Sequence, residues 1–158
     1  ILALESPEKL FIRELMRIGL KPSLVSIPNN KDIIIPTSSE KNALGIQTMM
    51  GVELKMSITG NMHYAFVWGD YMGTFTKHEG DIVKMFRTDG FFKKDALLGL
   101  TFEKRDGVSL MGAQERVCNI AKENKYYCVP IACLTGDHTA SSGRKSMYNL
   151  GFHITRRD

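Results

Sequence analysis

The sequence lacks any apolar run long enough to cross a membrane, and no basic segment precedes an apolar stretch as in a secretion signal. It also lacks an internal repeat, a low-complexity stretch and a convincing linker. These absences disfavour a membrane protein, a secreted protein and a repeat architecture. The sequence therefore predicts a cytoplasmic protein with no membrane partner and a single domain spanning residues 1–158.

Cysteine is scarce, and the three cysteines, Cys118, Cys128 and Cys133, include no pair with CxxC spacing. An odd number of thiols in apolar surroundings indicates free, buried cysteines rather than a disulfide framework or a zinc site. The four histidines share no ligand spacing, and no G-x-S-x-G nucleophile elbow occurs. A metal cluster and a serine hydrolase are both disfavoured.

What the chain has is the composition of a globular protein: 158 residues, 43% hydrophobic and 24% charged, with a formal net charge of +4. The mild positive charge favours anionic partners such as a phosphorylated cofactor or nucleic acid, although solubility alone explains it more simply. The chain begins with Ile1 rather than Met. We therefore expect a fragment or a processed product, and membership of a larger assembly is one hypothesis.

Hydrophobic periodicity and turn residues predict a mixed order of helices and strands. Strands are expected over residues 51–58, 64–68, 71–76, 96–102 and 128–134, and helices over 6–18, 108–124 and part of 81–86. Gly69-Asp70 is predicted to form a tight hairpin turn, and a short helix is expected to end at Gly151-Phe152. This order indicates an α/β (α+β) fold with a single mixed central sheet flanked by helices.

The strand, glycine turn and helix around Gly107 are the most informative feature. Backbone N–H groups at a helix start can hold phosphate, and glycine allows a ligand to approach the backbone closely. An alternative has equal weight: Gly107 simply begins a helix after a strand, with Asp106 as its N-cap.

Three segments together resemble the GCN5-related N-acetyltransferase (GNAT) family. Residues 104–109, KRDGVS, are similar to the family's pyrophosphate loop Q/R-x-x-G-x-G/A, with Lys104 and Ser109 replacing the usual first and last residues. FVWGDYMGTF at 66–75 resembles its glycine-bearing hairpin, and 143–152 resembles A-x-x-L-Y-x-x-x-G-F. The resemblance covers residues 62–155, and residues 1–60 match the family poorly.

The resemblance implies an acyl-CoA-dependent N-acyltransferase that uses acetyl-CoA or another acyl-CoA. An amine-bearing small molecule or protein would attack the thioester directly, and the cofactor would lie across splayed strands at 96–102 and 128–134. Tyr148 would protonate the leaving thiolate, and Glu103 or Asp70 would be the general base. The expected cofactor-binding residues are Leu100, Phe102, Lys104, Arg105, Gly107, Val108, Ser109 and Leu110. An inactive GNAT-like structural or binding module is a third hypothesis.

A metal-dependent nuclease of the PD-(D/E)xK type is the alternative enzyme. Glu53 and Lys55 lie two residues apart on a predicted strand and so share a face, and Asp32 could supply a second carboxylate for a divalent cation. Nucleic acid would then be the partner. A solvated Glu-Lys pair on a strand surface is the simpler interpretation.

Overall fold

The computed structural model of the chain describes residues 2–3, 17–19, 26–29, 47–50, 58, 63–139 and 146–157. The chain divides into two units, Ile1–Ser57 and Ile58–Asp158. The first unit contains three short parallel strands, which lie side by side in the order third, second, first. They are β1 (Leu2–Ala3), β2 (Ser26–Asn29) and β3 (Gln47–Met50).

The second unit is a mixed sheet with two helices in its described part. In chain order its elements are β4 (Tyr64–Thr74), α1 (Phe75–Arg87), β5 (Phe92–Glu103), α2 (Leu110–Glu123), β6 (Tyr126–Pro130), a 3-10 turn (Ala132–Leu134), β7 (Gly136–Thr139) and β8 (Ser146–Arg156). The strand order is β4, β5, β8, β6, and β7 pairs with the first part of β8. Strand β5 is parallel to β4, whereas β8 runs antiparallel to both β5 and β6. The predicted α/β fold with a mixed sheet is confirmed.

Helix α1 follows β4 without an intervening loop. Its buried residues, Phe75, Ile82, Met85 and Phe86, recur at helical spacing and form one apolar face. Lys84 and Arg87 in the last turn suit the negative end of the helix dipole. Phe75 meets Phe102 edge to face, with ring centroids 5.3 Å apart, and Phe86 packs on Phe92 and Tyr126. The helix is therefore held by aromatic contacts to the sheet at both of its ends.

Helix α2 begins at the side chain of Ser109, whose hydroxyl accepts a hydrogen bond from the backbone N–H of Gly112 at 3.0 Å. Its buried face consists of Ala113, Val117, Ile120 and Ala121. The helix ends where Asn124 Nδ2 donates to the carbonyl oxygen of Ile120 at 2.7 Å. Small side chains on this face allow the helix to lie close to the sheet and to α1.

The core lies between the two helices and one face of the sheet. Alternate residues of β5, from Ala96 to Phe102, point to this face and are 2% exposed or less. Their partners on β8 are also buried, and each large apolar side chain here contributes roughly 1.5–3 kcal/mol through burial. Since β8 supplies half of this row of cross-strand pairs, the core cannot form without it.

The other face of the sheet depends on two glycines that lie opposite each other, Gly99 on β5 and Gly151 on β8. A Cβ added at Gly99 would lie 2.1 Å from Cε3 of Trp68. A Cβ at Gly151 would lie 2.3 Å from Cβ of Leu134, in the 3-10 turn. The absence of side chains at both positions lets Trp68 and Leu134 lie flat on the sheet.

Three predicted elements are wrong or displaced. Gly69-Asp70 is no hairpin turn, because β4 runs through both residues as one strand. The short helix ending at Gly151-Phe152 is strand β8, and the strand predicted at 128–134 is β6 followed by the 3-10 turn. In each case pairing with a neighbouring strand overrides a local turn or helix pattern.

Two further predicted elements concern residues that are not described. Residues 51–57 of the strand predicted at 51–58, and nearly all of the helix predicted at 6–18, lie outside the described residues. The prediction of a single domain over 1–158 stays a prediction. Among the described residues, no helix is both long enough and apolar enough to span a bilayer.

Replacing Gly99 with Ala should lower the free energy of unfolding by about 1–3 kcal/mol, because the methyl group would overlap the Trp68 ring. Gly80, in the middle of α1, is a matched control, because a Cβ added there would meet nothing within 4 Å. Gly80→Ala should instead raise stability by about 0.5–1 kcal/mol, as helix propensity requires. Urea unfolding of both variants measures the difference, and equal effects would contradict the packing of Trp68.

Candidate functional site

The carboxyl ends of the parallel strands β4 and β5 lie together. Asp70 pairs in register with Thr101, and after a register shift Thr74 pairs with Glu103. In open α/β sheets, ligands bind in the crevice outside the carboxyl ends of the strands. The candidate site is therefore this edge: the end of β4, the start of α1 and the segment from Lys104 to Ser109.

Asp106 joins the two sides of this edge. Its Oδ2 accepts a hydrogen bond from the backbone N–H of Thr76, in the first turn of α1, at 2.9 Å. Its Oδ1 accepts from the backbone N–H of Val108 at 3.2 Å. Burial acts to raise the pKa of Asp106, but the hydrogen bonds from Thr76 and Val108 outweigh it and lower the pKa below its usual value. The carboxylate thus occupies a place that a bound anion would otherwise take.

Three backbone amides around the start of α2 are already engaged. Val108 N–H donates to Asp106, Gly112 N–H to the Ser109 hydroxyl, and Ala113 N–H to the Ser109 carbonyl oxygen. Gly107 has a positive φ of 73°, and a Cβ there would meet nothing within 4 Å. The positive φ therefore favours glycine at this position. No neighbouring group among the described residues lies close enough to exclude a side chain there.

The predicted phosphate-binding cations are paired with carboxylates. Lys104 Nζ lies 2.5 Å from Asp137 Oδ2. Arg105 Nε donates to Oε2 of Glu103 at 2.7 Å, and the Glu103 side chain is buried. The positive charges of Lys104 and Arg105 are therefore already balanced by carboxylates. This makes the edge a poor binding site for a diphosphate.

Leu100, Phe102 and Tyr148 belong to the core below this edge. All three are fully buried, and the Phe102 ring lies 5.2 Å from Tyr71 and 5.9 Å from Tyr148. Burial, together with the charge of Asp106, raises the pKa of Tyr148, while Arg116 acts in the opposite direction. Tyr148 lies on strand β8 directly opposite Phe102, rather than on the expected helix.

The two strands expected to splay around a cofactor are not neighbours. Strand β8 lies between β5 and β6, and it pairs with β5 over residues 147–155 and with β6 over residues 152–156. No gap between 96–102 and 128–134 can therefore receive an acyl-CoA.

The structure also assembles a polar group that the sequence did not reveal. The Tyr71 hydroxyl and His78 Nε2 are buried and have no hydrogen-bond partner in the described part of the chain. The two rings stack with centroids 4.4 Å apart, and His78 Nδ1 lies 3.9 Å from Asp81 Oδ2. Burial, and secondarily the charge of Asp81, hold the pKa of Tyr71 well above its usual value. Tyr71 therefore stays protonated at neutral pH and can donate a hydrogen bond.

The local residue pattern did not predict that Tyr71 and His78 would be in contact. A hairpin turn at Gly69-Asp70 would end the strand before Tyr71, and the predicted helix at 81–86 begins after His78. Because β4 passes directly into α1, the strand residue and the first helical turn meet. The direct strand-to-helix junction, which the turn pattern hides, is what brings them together.

The remaining candidate ligands do not form a metal centre in the residues described. No group of three or more His, Cys, Asp or Glu side chains there is placed to hold a metal ion. Asp32, Glu53 and Lys55, on which the nuclease hypothesis rests, lie outside the described residues.

No protein-family model matches the chain, and no curated protein matches it in sequence. Among solved structures, the chain is similar to M. jannaschii TYW2 crystallised in complex with AdoMet. The two share 13% sequence identity with a TM-score of 0.58, over 98% of this chain and 68% of that chain. At this identity the likeness establishes a shared fold.

The resemblance to GCN5-related N-acetyltransferases is therefore wrong, and so are acetyl-CoA as the cofactor and acyl transfer as the reaction. The structural neighbour was crystallised with AdoMet, and β8 closes the gap that an acyl-CoA would need. The neighbour supports neither the nuclease nor the inactive GNAT-like module. The loop residues Lys104, Arg105, Gly107, Val108, Ser109 and Leu110 do lie together at the candidate site. A binding role for them stays a prediction, as does a catalytic role for Glu103 and Tyr148.

Asp106→Ala should lower the free energy of unfolding by about 1–2 kcal/mol, because the backbone N–H groups of Thr76 and Val108 lose their acceptor. Asp106→Asn keeps an acceptor oxygen and should lose less. Since folding lowers the pKa of Asp106, its contribution is present above the ordinary aspartate pKa, about 3.9, and is lost as pH falls through the folded value. Denaturant unfolding at pH 7 and pH 3 should show a smaller effect of Asp106→Ala at the lower pH, and an equal effect would contradict this role.

Tyr148→Phe should leave the free energy of unfolding unchanged or raise it by up to about 1 kcal/mol, because the buried hydroxyl has no partner in the described structure. Thr101→Val is the matched control, since the buried Thr101 hydroxyl donates to Asn149 Oδ1 at 3.0 Å. That substitution should cost about 1 kcal/mol. A larger loss for Tyr148→Phe than for Thr101→Val, measured by thermal and urea unfolding, would show that the Tyr148 hydroxyl has a partner.

Proposed function

We propose that this chain is an AdoMet-binding domain that transfers a methyl group to an acceptor. The observation that carries the proposal is the structural likeness to a chain crystallised with AdoMet. That likeness extends over 98% of this chain, so it is not confined to one supersecondary motif. Fold alone does not determine activity, and the chemistry of the site has to agree with it.

The charge at the candidate site supports the same ligand. Asp70 is exposed in the carboxyl half of β4, and the half-buried Asp106 carboxylate accepts a hydrogen bond from the start of α1. The cations at this edge, Lys104 and Arg105, are paired with Asp137 and Glu103. AdoMet carries a sulfonium cation and an amino group, so the exposed Asp70 carboxylate favours its binding. The pairing of Lys104 and Arg105 with carboxylates disfavours binding of a diphosphate.

Asp70 is the described residue best placed to hold the cofactor or the acceptor. Bound AdoMet supplies a methyl group that is transferred to a nucleophile approaching opposite the departing sulfur. The domain's contribution would be to align the two molecules, which can account for much of the acceleration of such a reaction. A carboxylate at this position can also accept the proton that an amine or hydroxyl acceptor releases. An amine-bearing small molecule or protein is the proposed acceptor.

We place the protein in the cytoplasm, where thiols stay reduced. The described cysteines are free, and Cys118 Sγ lies 3.7 Å from Cys128 Sγ without a bond. Burial raises the pKa of both thiols, which slows their oxidation because the thiolate is the reactive form.

AdoMet should stabilise the protein. At a concentration one hundred times its dissociation constant, we expect the free energy of unfolding to rise by about 2.7 kcal/mol, which a thermal shift assay detects. S-adenosylhomocysteine should give a shift of the same kind, and acetyl-CoA should give none. Absence of a shift with AdoMet at millimolar concentration would overturn the proposal.

Asp70→Asn should weaken AdoMet binding about tenfold, because hydrogen bonds to a charged group contribute roughly 1.5–3 kcal/mol. Glu115→Gln, at an exposed position on α2, removes the same charge and should leave binding unchanged. Isothermal titration calorimetry measures both dissociation constants. Equal weakening by the two variants would mean that Asp70 acts only through net charge.

A further inference from the structure

The end of the second unit opposite the candidate site is strongly basic. The carboxyl ends of α1 and α2, the first residues of β5 and β6 and the end of β8 meet there. Strand β5, 12 residues long, separates this end from Asp106 by roughly 35 Å at about 3.3 Å per residue. We call it the basic edge, and its exposed cations are Arg87, Lys93, Lys94, Lys122, Lys125 and Arg156.

Direct contacts hold these cations on one surface. Arg156 Nη1 lies 2.7 Å from Asp89 Oδ1, in the turn after α1. The backbone N–H of Arg157 donates to the carbonyl oxygen of Lys125 at 2.8 Å, which joins the end of β8 to the end of α2. In register, Asp95, one residue beyond Lys94, pairs with Thr155. The cations therefore lie at one end of the sheet, although they come from four elements and the turn before β6.

The positive charge is only partly balanced within the edge. Its described acidic residues are Asp89, Asp95 and Glu123, and the first two contact Arg156 and His153 respectively. The ion pairs found among the described residues of this edge join Asp89 to Arg156 and Asp95 to His153, and neither involves Lys93, Lys122 or Lys125. Helix dipoles explain a cation in the last turns of α1 and α2, but they do not explain Lys93 on a strand. The excess points to a polyanionic partner.

An exposed aromatic ring lies inside this basic surface. Tyr127, near the start of β6, is 56% exposed, and the Arg157 guanidinium lies over its ring at 4.3 Å from the centroid. On the same face of the sheet, Val129 and Leu97 are also exposed and flank His153 in register. A planar ring beside cations on an open sheet face is the arrangement on which unpaired bases stack.

We propose that the basic edge and Tyr127 form a binding surface for single-stranded nucleic acid. Phosphates contact the cations, and a base stacks on or beside Tyr127. The exposed aromatic favours this partner over an anionic membrane, because the apolar faces of α1 and α2 are buried in the core and are not available to a bilayer. The surface does not depend on the proposed methyl transfer, and its binding is measured without AdoMet.

The test uses fluorescence anisotropy of a labelled single-stranded RNA of about 15 nucleotides, titrated with the whole chain at several salt concentrations between about 50 and 200 mM. The double variant Lys93→Glu/Lys125→Glu should weaken binding at least about tenfold and reduce the slope of log affinity against log salt by about 1–2. Tyr127→Ala should weaken binding about tenfold and leave the salt slope unchanged, because stacking is not an ionic contact.

Lys77→Glu, Met111→Glu and Asn119→Glu, combined, are the matched control, because they change the net charge equally at exposed positions outside the basic edge. That control should bind within about threefold of the unchanged chain at about 150 mM salt. If the control and the Lys93/Lys125 variant lose affinity equally, or if Tyr127→Ala binds normally, the proposal is overturned. It is also overturned if vesicles containing phosphatidylserine bind through Lys93 and Lys125 while the RNA does not.

Thermal shifts with AdoMet on the same variants separate this surface from the candidate site. The Lys93/Lys125 and Tyr127 variants should respond to AdoMet as the unchanged chain does. If the variants lose RNA binding but keep the thermal shift with AdoMet, the two surfaces are separate. If the unchanged chain binds RNA but shows no thermal shift with AdoMet, only the proposed function is refuted.

Discussion

Strand β8 organises the second unit because it is inserted between β5 and β6. Its backbone pairs with both neighbours, so its side chains alternate between the helix-covered core and the opposite face. On one side it supplies Tyr148, Leu150 and Phe152 to the core, and on the other it supplies Gly151, over which Leu134 packs. The strand thereby closes the sheet where an acyl-CoA would otherwise enter, and it carries Arg156 to the basic edge.

Asp106 has the corresponding role at the carboxyl ends of β4 and β5. One carboxylate accepts hydrogen bonds from the first turn of α1 and from the residue leading into α2. The starts of α1 and α2 could each attract an anion, and the Asp106 carboxylate takes that role for both helices. A carboxylate in this position occupies the positive ends of both helices, so these helix starts do not attract a further anion.

The two ends of β5 therefore differ in chemistry. Its carboxyl end is lined by carboxylates and by buried tyrosine hydroxyls, and its amino end by cations and an exposed ring. A small formal net charge of +4 conceals this division, because opposite charges at the two ends cancel in the sum.

Local residue patterns were enough to predict the α/β class, most of helix α2 and the central strand β5, because each has a clear hydrophobic period and identifiable ends. Gly107 indicated that a helix follows β5, but the N-cap of that helix is Ser109 rather than the predicted Asp106. That residues 146–156 form a strand, and that β4 passes unbroken into α1, became apparent from the folded chain alone. Local residue preferences are compatible with a helix or a turn there, and hydrogen bonds to strands distant in the sequence outweigh them. Long-range pairing also determines which charges meet, so the loop at 104–109 could be predicted from the sequence, whereas the contact of Asp106 with α1 and the composition of the basic edge could not.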